Sequence, residues 1–190
     1  IEVAADNPVY CSVDGTLFSK DKTKLIQYTK SAIEPNYVVP ETVTDIDHAF
    51  YNNQYLQSLT ISKNVRIVDK DTQTGQFQSW GFGMNISAMA CNAVYVDEDN
   101  PYFCSADGVL YSKDMSILIW CPSGKTGRFE VPNSVKAIAA GAFQYSKISD
   151  VQLPDGVEIL GRCAFDNSAI THVAIPASVK SIYSGCFFAW

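Results

Sequence analysis

The residues of this 190-residue chain that are capable of chemistry are few and scattered, so the first question is whether any of them converge. A serine precedes a lysine at Ser19-Lys20 and again at Ser112-Lys113, the pairing that gives a nucleophilic hydroxyl an amine base. Adjacent residues of an extended turn point to different sides, however, and the same dipeptide placed twice in one repeated motif reads as turn chemistry. The run Asp97-Glu98-Asp99-Asn100 offers hard oxygen donors for calcium, but no EF-hand-like spacing follows it. A solvated turn with Asx caps before Pro101 is the expectation there. The two histidines, His48 and His172, are far apart in sequence and are read as surface or rim residues. The six cysteines (Cys11, Cys91, Cys104, Cys121, Cys163 and Cys186) contain no C-x-x-C and lie in apolar segments, which points to thiols filling the core rather than to a disulfide framework. The expectation is therefore no catalytic residue, no metal and no cofactor.

The elements that carry these residues are set by two nested repeats. The segment 7–21 (NPVYCSVDGTLFSKD) recurs at 100–114 (NPYFCSADGVLYSKD), an offset of 93 residues. Asp14-Gly15 and Asp107-Gly108 sit between apolar runs, a strong hairpin signal because both residue types tolerate positive φ. With a further strand around Leu25-Ile26 or Leu118-Ile119, each copy predicts a three-stranded meander.

A shorter period of 22 residues follows: Val131-Pro132, Leu153-Pro154 and Ile175-Pro176, each with an aliphatic three and six residues after the proline, then Ala142-Phe143, Ala164-Phe165 and Cys186-Phe187. Val39-Pro40, Val43, Ile46, Ala49-Phe50, Leu56, Leu59 and Ile61 keep nearly the same register. One such unit cannot bury its own apolar ladder; stacked neighbours join the ladders into one core, with the Phe residues piled as a spine. Proline after the first strand withholds a donor and fixes each corner. The expected fold is mainly β: a solenoid of about 22-residue coils carrying two inserted hairpin or meander modules. Residues 1–93 form a first super-repeat and 94–190 a second, in one continuous solenoid. Two departures stand out. Ile61 and Val96 are 35 residues apart, which leaves an insertion near 69–92, and Ser62 stands where proline is expected.

Composition limits the partners. Fourteen basic against twenty acidic side chains give a net charge of −6 and repel phosphate backbones and anionic headgroups, so nucleic acid is not expected. No run of eighteen apolar residues predicts a membrane-spanning segment, and no basic and then apolar leader opens the chain.

With the pattern apolar-x-apolar-P-x-x-V-x-x-I-x-x-x-A-F at 131–190, matched closely at 39–61 with one residue moved from before the Phe to after it, and the motif N-P-x-[YF]-x-S-x-D-G-[VT]-L-[YF]-S-K-D, the chain resembles the BspA-like leucine-rich repeats of bacterial and some protist surface proteins. The resemblance implies a secreted or cell-surface module, without catalytic residues, that adheres to host proteins or neighbouring cells.

Two binding surfaces follow from the residues. In the strands that end each coil, Ser58, Thr60, Tyr95, Asp150, Gln152, His172 and Ala174 alternate with the core ladder and form a sheet face, where solenoids usually engage ligands. The insertion offers Phe77, Trp80 and Phe82 on a Gly-rich stretch as an aromatic anchor, against the reading in which they plug a gap. The partner is expected to be a protein, including a host extracellular protein, or a glycan; an architectural spacer and a carbohydrate-recognition module built on Trp80 are the other readings.

Overall fold

The computed structural model describes residues 1–29, 34–50, 53, 55–66, 68 and 91–188. Strands, turns and bends make up the described residues, without a helix. β1 (Tyr10–Val13), β2 (Thr16–Ser19) and β3 (Leu25–Gln27) form an antiparallel meander, followed by a parallel sheet of β4 (Asn36–Val38), β5 (Ser58–Ile61) and β6 (Ala93–Val96). The pattern then repeats with β7 (Phe103–Ala106), β8 (Val109–Ser112) and β9 (Ile117–Trp120) as a second meander. Beyond it each coil contributes two strands. β10 (Thr126–Glu130), β12 (Lys147–Gln152) and β14 (His172–Ala174) form one parallel sheet, while β11 (Ala137–Ile138), β13 (Ile159–Leu160) and β15 (Ser181–Ile182) extend another.

Local chemistry explains these elements. The hairpin residues take positive φ as their types allow: Asp14 48° and Gly15 80°, Asp107 53° and Gly108 71°. A Cβ on Gly108 would stand 2.8 Å from the Ala93 Cβ, so the turn that lies against β6 needs glycine for room as well as for φ. At each coil corner a backbone N–H three residues on bonds back to the proline carbonyl: Val43 to Pro40 (2.9 Å), Val135 to Pro132 (3.0 Å), Val157 to Pro154 (3.2 Å) and Val179 to Pro176 (3.1 Å). The Val65 N–H makes the same bond to Ser62 at 3.2 Å. The corner uses the carbonyl of that residue rather than its missing N–H, so serine keeps the turn.

The ladders join as the period requires. Leu118, Ile138, Leu160 and Ile182 pair in one register across β9, β11, β13 and β15. The third strand of the meander is therefore itself the first rung of the coil sheet, a closer fusion than a module inserted between coils. Ile61 and Val96 are direct partners across β5 and β6, so residues 35 apart in sequence occupy neighbouring rungs. The Phe spine is present. Phe129 meets Phe143 edge-on at 5.8 Å, and Phe143–Phe165 and Phe165–Phe187 stack at 5.2 Å each. Beside the earlier sheet Tyr28, Tyr37 and Phe50 cluster at 4.4 to 6.0 Å.

The two copies also share most of their turn bonds. Ser12 and Ser105 accept the N–H of Val3 and Val96, and Cys11 and Cys104 donate to the carbonyls of Ser19 and Ser112. Asn7 and Asn100 each cap the two N–H groups that begin the hairpin. Only the Asn100 amide also reaches back, donating to the carbonyls of Ser62 and Val65 at 2.9 Å each, which locks the second meander onto the preceding coil.

Candidate functional site: the exposed face of the parallel sheets

Because side chains alternate across a strand, the ladder that buries Leu59, Ile61, Val94, Val131, Val151 and Leu153 leaves every other residue outward. Register fixes which of them line up. On β4, β5 and β6 the rows are Asn36–Ser58–Ala93 and Val38–Thr60–Tyr95; on β10, β12 and β14 they are Arg128–Asp150–His172 and Glu130–Gln152–Ala174. Ser58, Thr60, Tyr95, Asp150, Gln152, His172 and Ala174 thus stand where their spacing puts them, and the structure divides them between two sheets.

Asn36, Val38, Arg128 and Glu130 escape a reading by coil length, because no preceding rung frames their strands. The signal that finds them is position: one and three residues before the apolar residue that precedes the corner, as Gln152 and Asp150 stand before Leu153.

The two halves differ chemically. The first carries no charge in its rows; Ser58 donates to the Asn36 side-chain oxygen at 2.7 Å, and Val38 and Tyr95, 66% and 53% exposed, flank Thr60. The second is a charge lattice in which Arg128 lies 3.3 Å from Glu130 and 3.8 Å from Asp150 and also bonds the Gln152 side chain. Such solvated pairs order the side chains more than they stabilise the fold. Between the halves the Asp107-Gly108 turn takes the neighbour position on β6, its Gly108 carbonyl accepting the Val94 N–H at 2.9 Å. A notch of about 380 Å³ remains there, lined by Tyr95, Ser105, Asp107 and the half-buried Lys125.

The other candidates resolve into structure. Ser112 Oγ donates to Asp114 at 2.7 Å and accepts the Ile117 N–H, while Lys113 Nζ reaches away to the Glu98 carbonyl at 2.9 Å; Ser19 and Lys20 do the same with Asp21 and Ala5. Neither serine faces its lysine. Asp97 Oδ1 accepts the Asp99 N–H at 3.0 Å, an Asx turn. His48, at φ 63°, lies 3.1 Å from the Asp47 carboxylate at a coil corner, and His172 is exposed on β14. All six thiols are free. Cys91, Cys121 and Cys186 are buried, which pushes each thiol up to about 12, whereas Cys11, Cys104 and Cys163 are half-buried. Among the described residues no group of three His, Cys, Asp or Glu side chains is placed to hold a metal, and no helix is long and apolar enough to cross a membrane. Phe77, Trp80 and Phe82 lie outside the described residues.

The model of the BspA type leucine rich repeat region matches residues 27–78 and 121–189, in six copies. No curated protein sequence matches the chain. Among solved structures, a leucine-rich repeat protein from Eubacterium ventriosum is similar at 26% identity with a TM-score of 0.65, over 78% of this chain and 37% of that one. The pneumococcal vaccine antigen PcpA is similar in fold at 18% identity with a TM-score of 0.55, over 92% of this chain and 60% of that one. The chain thus spans between about a third and three fifths of the length of these relatives.

Proposed function

The chain belongs to the BspA-type leucine-rich-repeat family, and from that premise we propose that it is a non-catalytic binding module of a secreted or cell-surface protein, engaging a protein partner through the exposed face of its parallel sheets. The observation that carries this reading is the register of that face. Rows drawn from strands far apart in sequence align side by side, and the uncharged half presents Val38 and Tyr95 as exposed anchors on a rigid ladder. Interfaces concentrate their energy in a few such aromatic and apolar side chains on preorganised backbone, with charged residues forming a rim. Arg128, Glu130 and Asp150 supply that rim. The partner class is a host extracellular protein or a protein of a neighbouring cell, as the family's surface role implies. Phe77, Trp80 and Phe82 form a second proposed anchor.

The test is binding of the 190-residue chain to a panel of purified host matrix and serum proteins, with the variant Val38→Ser/Tyr95→Ala alongside. A captured protein should bind the variant at least about tenfold more weakly, with most of the change in dissociation rate. Binding that survives the face variant removes the face from the reading, and a chain that captures no panel protein favours the spacer.

A further inference from the structure

A second site lies on a different surface, where the turns of successive coils stack. A groove of about 460 Å³ runs over the corners after Pro40 and Ser62 and ends against the turn before Phe103. Glu41, Lys63, Asn64 and Arg66 line it from the coils, and Asp99 and Tyr102 from the turn. Its volume falls within the roughly 300–1,000 Å³ typical of small-molecule sites. We propose that this groove binds a neutral oligosaccharide, with Tyr102 as the stacking platform.

Three observations carry the proposal. The first is the platform. Tyr102 is 49% exposed, yet its backbone is held, because its N–H bonds the Asn100 side chain at 2.8 Å and Asn100 is itself buried and anchored to Ser62 and Val65. An aromatic side chain on a held backbone has only two χ angles to fix and presents apolar area at low entropic cost, which suits the C–H face of a pyranose ring.

The second is the lining. Two acids and two bases balance, and Glu41 and Lys63 already pair at 3.2 Å, so the groove selects for no net charge on its ligand. Carboxylate, amide, guanidinium and hydroxyl groups supply donors and acceptors together, as a run of sugar hydroxyls needs. A peptide would ask for apolar pockets or an unpaired strand edge, and the corner turns offer neither.

The third is the internal duplication, which acts as a built-in comparison. Tyr102 matches Val9 across the 93-residue offset, while the turn around it is retained. In the second super-repeat the residues matching Glu41, Lys63, Asn64 and Arg66 by coil register include Asn133, Asp155, Gly156 and Glu158. There Glu158 pairs with Lys180 at 2.9 Å instead. The groove's lining is thus particular to the first of the two arrays, while the hairpin turn that presents Tyr102 is common to both.

Calorimetric titration of the chain with neutral tri- to hexasaccharides of glucose, mannose, galactose and N-acetylhexosamines, beside uronate oligosaccharides, decides the matter. At least one neutral oligosaccharide should bind with millimolar or tighter affinity. Tyr102→Val, the residue that the sister turn already tolerates, should weaken it about tenfold or more, and Tyr102→Phe should keep it within about threefold. Tyr95→Ala on the sheet face should leave it unchanged, and matching thermal melts of the variants separate lost binding from lost folding. The proposal is overturned if no neutral saccharide binds, if only uronates bind, if binding survives Tyr102→Val, or if the groove instead takes a protein.

Discussion

At the scale of single residues, position in the duplication separates side chains of the same type. Asn7 and Asn100 cap the same turn, but only the buried Asn100 also satisfies two carbonyls of the preceding coil. Asn100→Ala should therefore destabilise by about 3 kcal/mol and Asn7→Ala by about 1 kcal/mol in urea unfolding, because one leaves buried groups unpaired and the other exposes them to water. Asp114 supports a pH prediction. Hydrogen bonds from the Ser112 hydroxyl and from the Ser116 N–H and hydroxyl hold its carboxyl at about 2, below its ordinary 3.8. A depressed folded value means that the stability it adds is fully present above the unfolded value and is lost as pH falls through the folded one. The melting temperature of Asp114→Asn should lie below that of the wild type at pH 5, and the gap should close between pH 3.8 and about 2; a gap independent of pH would refute the assignment. Asp21 is shifted in the same direction by the same contacts in the sister turn.

At the scale of elements, what holds a coil is its neighbours. Phe143 is fully buried between Phe129 and Phe165, whereas Phe187 has one stacking partner among the described residues and is 44% exposed. Phe143→Ala should cost about 4 kcal/mol and Phe187→Ala about 1 kcal/mol or less, measured by chemical denaturation. Equal losses would mean that the spine is not a stacked series. These elements were legible because the repeat writes each buried position several times: proline corners, ladder aliphatics and the Ala-Phe pair all recur in register. Ser62 shows where that reading overreached, since the corner depends on a carbonyl that any residue supplies. The double role of β9 was illegible because a meander strand and a coil rung have the same apolar alternation.

At the scale of the whole molecule, a shared interior stands in for covalent staples. With every thiol free and three of them buried, a reductant should leave the melting temperature unchanged. Ellman titration should find all six thiols in denaturant, but Cys91, Cys121 and Cys186 silent in the native chain, because thiols pushed up to about 12 hold almost no thiolate. A melting point that fell with reductant would reveal a disulfide. The amino-acid order alone determined the strands, the 22-residue stacking and the outward residues of each coil, because burial of alternating side chains depends only on local periodicity and on a repeat that copies itself. Tertiary structure alone decided which outward residues become neighbours. The hairpin turn that parts β6 from β10 divides the face into a neutral and a charged half, and the stacking of three corners brings Tyr102 to a groove 38 residues beyond Asn64. Such meetings depend on distances through space between chain segments remote in sequence, which no local period records.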